Sequence, residues 1–218
     1  VIERIGVGGM GTVYRAEQVG LGRSVALKIL KRELIFDRDT VTRFHREARA
    51  MSQLTHPNTV RVFDFGETPE GLLFLAMELL EGESLADRIE RGPIAPAEAL
   101  AMLQQLCHGL AAAHRAGIVH RDLKPENVFV ARARRVGAPF TVKVLDLGIA
   151  KVVAEAKATR LATAAIGTPL WMAPEQTELS SRVGPATDVW ALGLIAFRML
   201  TGRFYWHEAY RNANNVTA

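Results

Sequence analysis

His120-Arg121-Asp122-Leu123-Lys124-Pro125-Glu126-Asn127 is the stretch whose reading decides this chain, and Asp146-Leu147-Gly148 follows nineteen residues after Asn127. Pro125 and Asn127 alone would mark an ordinary polar turn. The run joins the Asn127 carboxamide to an acid, Asp122, and a lysine, Lys124, at fixed offsets, with a further acid, Asp146, downstream. Such a set can hold a polyanion and metal ions while one carboxylate orients an attacking hydroxyl, which is the chemistry of phosphoryl transfer.

Toward the N-terminus, Gly6, Gly8, Gly11 and Val13 fit a G-x-G-x-x-G-x-V pattern. Glycine lets backbone N–H groups approach phosphates that a Cβ would fend off. Dinucleotide-binding folds share this spacing but place a helix directly after the glycines. Here Thr12-Val13-Tyr14-Arg15-Ala16 has strand propensity and no helical period, so the glycines are expected to cap a hairpin. Val25-Ala26-Leu27-Lys28-Ile29-Leu30 reads as an apolar strand interrupted by one lysine, which must either snorkel at an edge or be paired inside. A helix is expected through Val41, Phe44, Ala48, Met51 and Leu54, with Asp39 or Thr40 as N-cap, and it carries Glu47. His56-Pro57-Asn58 breaks that helix, and residues 59–65 and 72–77 read as two strands around a turn at 67–71.

Together these motifs resemble the protein kinase family, whose pattern joins a glycine-rich loop, a strand lysine paired with a helix glutamate, H-R-D-L-x-x-x-N and a D-F-G triplet. Leu147 departs from the Phe of that triplet, at a position that packs rather than binds metal. The resemblance covers residues 2 to 202. It implies an α+β, bilobal protein-kinase-like fold, with a small antiparallel β-sheet lobe and one helix over residues 1–77, a hinge at 78–83 and a mainly helical large lobe over 84–218.

The same resemblance implies ATP and Mg²⁺ as cofactors. Asp122 would take the substrate hydroxyl proton, Lys124 would neutralise charge on the moving phosphoryl group, and Glu47 would aim Lys28 at the α- and β-phosphates. Asn127 and Asp146 would ligate the metal, whose octahedron phosphate oxygens and water would complete. For the nucleotide it implies Ile5, Gly6, Gly8, Gly9, Gly11, Val13, Ala26, Lys28 and Phe129, with Met77 at the back of the pocket and main-chain contacts to adenine from Glu78 and Leu80. Without the resemblance, Val13, Ala26 and Phe129 would be read simply as core.

Lys124 two residues after Asp122, and Gly167-Thr168-Pro169 before Ala173-Pro174-Glu175, resemble the serine/threonine class; the Gly-Gly-Met-Gly loop resembles its bacterial, Hanks-type members. The implied function is transfer of the γ-phosphoryl group of ATP to Ser/Thr hydroxyls of protein substrates. Activation by autophosphorylation is implied as well, with Arg121, Lys151 and Arg43 gathered around a phosphate on Thr163 or Thr159, and Thr168 kept out of that switch by bonds to Asp122 and Lys124. A nucleotide-binding pseudokinase or scaffold, an inactive incomplete fragment and a small-molecule phosphotransferase are the alternatives. Retention of Lys28, Asp122 and Asp146 argues against the first, and the segment from Thr168 to Glu175 against the last.

In the second half, a short helix is expected to open at Ser84 and Leu85, and a long one over residues 97–116 with Leu100, Leu103, Cys107, Leu110 and His114 on its inner stripe, ending at Gly117. Cys107 is read as core packing, and His114 and His120 as satisfied interior histidines. Residues 128–130 and 142–145 read as a hairpin, with Arg132, Arg134 and Arg135 in its solvated connection. A helix from about Ala186 is apolar nearly all round and therefore expected to be buried. Asp188 within it needs partners, which the resemblance places on the catalytic-loop backbone. The resemblance also pairs Glu175 with a late arginine absent from these 218 residues, so Glu175 is expected to lack its partner and the helix its cover.

Composition bounds the rest. With 49% apolar residues, 218 residues suffice for one large or two small packed units. The 27 basic and 23 acidic residues are interspersed, which argues against a nucleic-acid surface. A single cysteine excludes an internal disulfide and suits a reducing compartment, so a cytoplasmic location is expected, on its own or as the cytoplasmic part of a membrane-anchored chain. No run reaches the length of a membrane span, and the first residues of this sequence do not read as a basic-then-apolar leader.

Overall fold

The first part of the chain forms five strands: β1 (Glu3–Val7), β2 (Gly11–Gln18), β3 (Arg23–Leu30), β4 (Val62–Glu67) and β5 (Leu73–Glu78). They pair antiparallel in the order β1-β2-β3-β5-β4. The computed structural model describes residues 1–34, 38–133, 139–148, 169–177 and 183–206. Thr159, Thr163, Thr168 and Lys151 fall outside them, as do Arg134 and Arg135.

In β3 the alternation puts Lys28 on the same buried face as Ala26 and Leu30, so the lysine points inward and not to an edge. Helix α1 (Arg38–Gln53) packs Phe44, Ala48 and Met51 against this sheet's core. Burial of Phe44 alone is worth about 1.5–3 kcal/mol. Asp39 and Thr40 lie within its first turn, so neither is the N-cap.

The stretch read as a strand from residue 59 begins pairing in β4 only at Val62. Its first residues bond elsewhere. Val60 N–H donates to Val144 O, and Val144 N–H donates to Asn58 O, each at 2.9 Å. Asn58 Nδ2 donates to Val142 O at 2.9 Å and to Gln105 Oε1 at 3.1 Å. His56-Pro57-Asn58 therefore does more than end a helix: it ties the five-stranded sheet to the second half of the chain.

That half contains a three-stranded sheet, β6 (Gly82–Ser84), β7 (Val128–Arg132) and β8 (Phe140–Val144). Helices α2 (Leu85–Glu90), α3 (Pro96–Arg115) and α4 (Pro185–Thr201) complete it. Ser84 caps α2 through a reciprocal box with Asp87. The expected chain reversal occurs at Gly117, at φ +75°.

The inner face of α3 is rotated by one residue from the stripe expected of it. Ala99, Met102, Leu106, Gly109, Leu110 and Ala113 are buried, whereas Leu100 is 58% exposed and Cys107 is also exposed. The cause is close backbone approach. A Cβ on Gly109 would sit 2.6 Å from Asn58 O and 3.1 Å from Val144 Cγ2, so the face that carries Gly109 is the one that can approach the partner strand. Gly109→Ala is accordingly expected to destabilise the fold by about 1–3 kcal/mol, because a backbone oxygen cannot move aside. Gly193→Ala in α4, where a Cβ meets nothing within 4 Å, should be neutral or stabilising by about 0.5–1 kcal/mol. Thermal melts of the two variants check the contrast.

Helix α4 is likewise not buried all round. Thr187, Asp188, Ala191, Leu194, Ile195 and Met199 face inward, while Val189, Trp190, Phe197 and Leu200 are exposed among the described residues. Glu175 has a partner: its Oε1 accepts the Thr187 hydroxyl at 2.7 Å.

Candidate active site

A cleft of about 530 Å³ opens where β1, β2, β3 and β5 face the loop before β7. The small sheet contributes Ile5, Gly6, Gly8, Gly9, Gly11, Val13, Ala26 and Lys28, the strand end Met77, Glu78 and Leu80, and the second half Asp122, Lys124, Asn127, Phe129 and Asp146. Apart from Glu47, every residue assigned to the site from sequence lines it. Val60, Glu126 and Leu145 also line it and were missed. Leu145 could have been found by alternation, since Val144 beside it points into the core. Val60 could not, because its position depends on the long-range bond to Val144.

Backbone geometry positions the candidate catalytic groups. Arg121 and Asp146 hold positive φ, 67° and 53°, a region non-glycine residues occupy only when their surroundings enforce it. For Arg121 the enforcement is Asp188, which is 1% exposed. Its carboxylate accepts the N–H groups of His120 and Arg121, each at 2.9 Å, and bonds His114 Nε2 at 2.7 Å. Gln176 Nε2 adds a bond to Arg121 O at 2.7 Å. His120 is fully buried, with Nε2 against Leu145 O at 2.9 Å, so it serves as a structural post between the loop and the strand leading to Asp146.

Asp122 Oδ2 lies 3.2 Å from Lys124 Nζ and 3.3 Å from Asn127 Nδ2, and that amide also donates to Asp122 O at 2.7 Å. Committing the amide nitrogen in this way leaves the Asn127 oxygen as the free donor atom toward a ligand. Lys28 Nζ donates to Asp146 Oδ2 at 2.5 Å. The lysine's ion pair is thus with Asp146 and not with Glu47, because the left-handed turn at Asp146 aims its carboxylate at the inward-facing lysine. Glu47 stands nearby, 12% exposed and bonded to Arg46 at 3.1 Å, with Oε2 3.7 Å from where a Gly148 Cβ would lie.

The glycines of the β1–β2 turn differ in kind. A Cβ on Gly11 would lie 2.2 Å from Ile29 O, while Gly9 has nothing within 4 Å. Gly11 is therefore required by the sheet itself, and the open space at Gly9 is what an approaching anion needs.

Among the described residues no three His, Cys, Asp or Glu side chains converge on a point that could hold a metal. Asp146 and Asn127 nevertheless supply two hard oxygens on one wall of the cleft, which suits a divalent ion that draws its other ligands from a bound phosphate and water.

Residues 1–218 match the protein kinase domain family. The chain belongs to that family. Its relatives are bacterial serine/threonine kinases. It is 44% identical over 205 residues to serine/threonine-protein kinase pkn2 of Myxococcus xanthus, covering 93% of this chain and 24% of that protein. Identity to Pkn1 of the same organism is 44% over 208 residues, covering 95% and 29%, and to PrkC of Bacillus subtilis 38% over 207 residues, covering 93% and 30%. This kinase domain therefore spans well under half the length of these relatives. A crystal structure of a double mutant of the Mycobacterium tuberculosis PknI kinase domain superposes with a TM-score of 0.76 at 26% identity, covering 94% of this chain and 75% of that one. The expected fold is confirmed. Membership of the family implies ATP and a divalent metal, and the cleft has donors for both.

Proposed function

We propose that this kinase domain transfers the γ-phosphoryl group of ATP to serine and threonine hydroxyls of protein substrates, with Mg²⁺ as the metal. The observation that supports this best is the convergence of Asp122, Lys124, Asn127 and the Lys28–Asp146 pair on one cleft roofed by the glycine turn. Asp122 receives the proton of the attacking hydroxyl as the oxygen–phosphorus bond forms. Lys124, already beside Asp122, offsets charge on the phosphoryl oxygens. Lys28 holds the α- and β-phosphates, and Asp146 and Asn127 hold the metal. When bound, Mg²⁺ would neutralise charge on the phosphate oxygens. Ala26, Met77 and Phe129 bound the apolar part of the cleft, where adenine fits, with Glu78 and Leu80 offering main-chain contacts and residues 78–83 serving as the hinge between lobes 1–77 and 84–218.

Autophosphorylation on Thr163 or Thr159 is the proposed switch. Among the described residues Arg121 Nε, a buried donor, has no hydrogen-bond partner, and a phosphate close to it would supply one. Partners are proteins, and the site of action is the cytoplasm, where ATP and Mg²⁺ are available; no helix among the described residues is long and apolar enough to cross a membrane.

The full-length protein incubated with ATP, Mg²⁺ and a peptide library should yield phosphoserine and phosphothreonine, with Lys28→Met yielding neither. Product on tyrosine alone, or equal product from Lys28→Met, would remove the reading. Mass spectrometry of the same reaction should find phosphate on Thr163 or Thr159, and a Thr159→Ala, Thr163→Ala double variant of undiminished activity would remove the switch.

A further inference from the structure

A second groove, of about 440 Å³, shares Glu78 and Leu79 with the nucleotide cleft. Its other lining includes Arg23, His56, Arg61 and Lys143, none of which the phosphoryl-transfer chemistry uses. Two guanidinium groups meet there on one aromatic ring. Arg23 lies over Phe63 with its guanidinium carbon 3.7 Å from the ring centroid, and Gln18 Oε1 accepts from its Nε at 2.8 Å. Arg61 faces the same ring at 5.8 Å. Neither arginine has a carboxylate partner among the described residues. The carboxylate in the lining, Glu78, is already committed to Lys143 Nζ at 2.6 Å and to Arg61 N–H at 2.9 Å.

The remaining groups add neutral hydrogen-bond donors. His56 Nδ1 accepts Asn58 N–H at 3.1 Å, so a neutral ring carries its proton on Nε2, as a donor. Burial first, and then His108, Arg115 and Lys143, push the His56 pKa below its ordinary value. Ser24 and Thr55 add hydroxyl donors to the lining.

Two arginines anchored on one ring repel each other unless an anion lies between them, and their planar forks match tetrahedral oxyanions with two donors each. A carboxylate would neutralise one of them; a phosphate monoester, with close to two negative charges, neutralises both. We propose that this groove binds a phosphate-type dianion, gripped by Arg23 and Arg61. A free phosphate compound and a phosphorylated protein side chain present the same chemistry.

Because the nucleotide cleft lies across Glu78, the test uses full-length protein carrying Lys28→Met, to weaken phosphate binding there. A fluorescent phosphoserine peptide, its unphosphorylated twin and inorganic pyrophosphate are titrated in turn. The phosphopeptide should bind in preference to its twin, or pyrophosphate should bind, and the first result assigns the source to protein while the second alone assigns it to free phosphate. Adding Arg23→Gln and Arg61→Gln together should weaken that binding by about tenfold or more, while Arg203→Gln at a distant exposed site leaves it unchanged. Arg61→Gln alone, whose side chain donates no hydrogen bond among the described residues, should cost about fivefold and keeps the test decisive if the double variant fails to fold. Equal affinity in parent and arginine variants, no binding of either phosphate probe, or retention by phosphatidylserine vesicles in their place would overturn the proposal.

Discussion

Asp122→Asn is expected to lower the rate of phosphoryl transfer by about two to four orders of magnitude while leaving nucleotide binding within a few-fold of the parent. The asparagine keeps the shape of the side chain and its contacts with Lys124 and Asn127, but its amide oxygen is too weak a base to receive the hydroxyl proton. In the proposed function nucleotide affinity comes from elsewhere in the cleft, from Lys28 and the glycine turn, so it should persist. Kinetics on a peptide substrate, paired with titration of a non-hydrolysable ATP analogue, separate the two quantities. Parent-like turnover would mean that Asp122 does not handle the proton, and a joint collapse of rate and binding would mean that it shapes the cleft instead.

Asp188→Ala should have the largest effect on the fold. Its removal strands two buried N–H groups, those of His120 and Arg121, each at a cost of about 1–3 kcal/mol. It also releases the left-handed conformation at Arg121. The sum, about 2–6 kcal/mol, corresponds to a fall of roughly 10 °C in melting temperature for a domain of this size. Activity should fall with it, because Asp122 follows directly on the freed backbone. Asp188→Asn retains one acceptor oxygen but turns an amide donor toward the second N–H, so it should lie between parent and alanine variant. A melting temperature within 2 °C of the parent for Asp188→Ala, on the scale of about 2–4 °C per kcal/mol, would show that the loop is held by other contacts.

The residues that line the cleft were legible in sequence because the chemistry proposed for them requires particular functional groups at short, fixed offsets, and the strands of the first sheet because their apolar runs are bounded by turn residues. Asp188 was legible too: an acid in an apolar helix must be satisfied, and the structure supplies three partners. Legibility failed where backbone meets backbone. The inner face of α3 is chosen by Asn58 O and Val144 crowding Gly109, and hydropathy, which favours Leu100 and Cys107, does not register that. The partner of Lys28 depends on a left-handed residue at Asp146, which residue type alone does not announce. Helix α4 reads as buried because apolar content counts residues without knowing how many elements cover them; Val189 and Trp190 face outward here. Glu175, expected to lack an arginine partner, accepts instead from the hydroxyl of a threonine twelve residues on, a contact that residue type alone does not announce.

A single-turnover experiment with γ-labelled ATP and full-length protein follows the transferred phosphoryl group directly. With Mg²⁺ and a protein substrate, the label should move to serine and threonine hydroxyls, and omission of divalent metal or substitution of Asp146 by asparagine should keep it on ATP. If ATP occupies the cleft and the label stays on nucleotide, or passes to water as inorganic phosphate, the assignment of Asp122, Lys124, Asn127 and Asp146 to hydroxyl phosphorylation is contradicted.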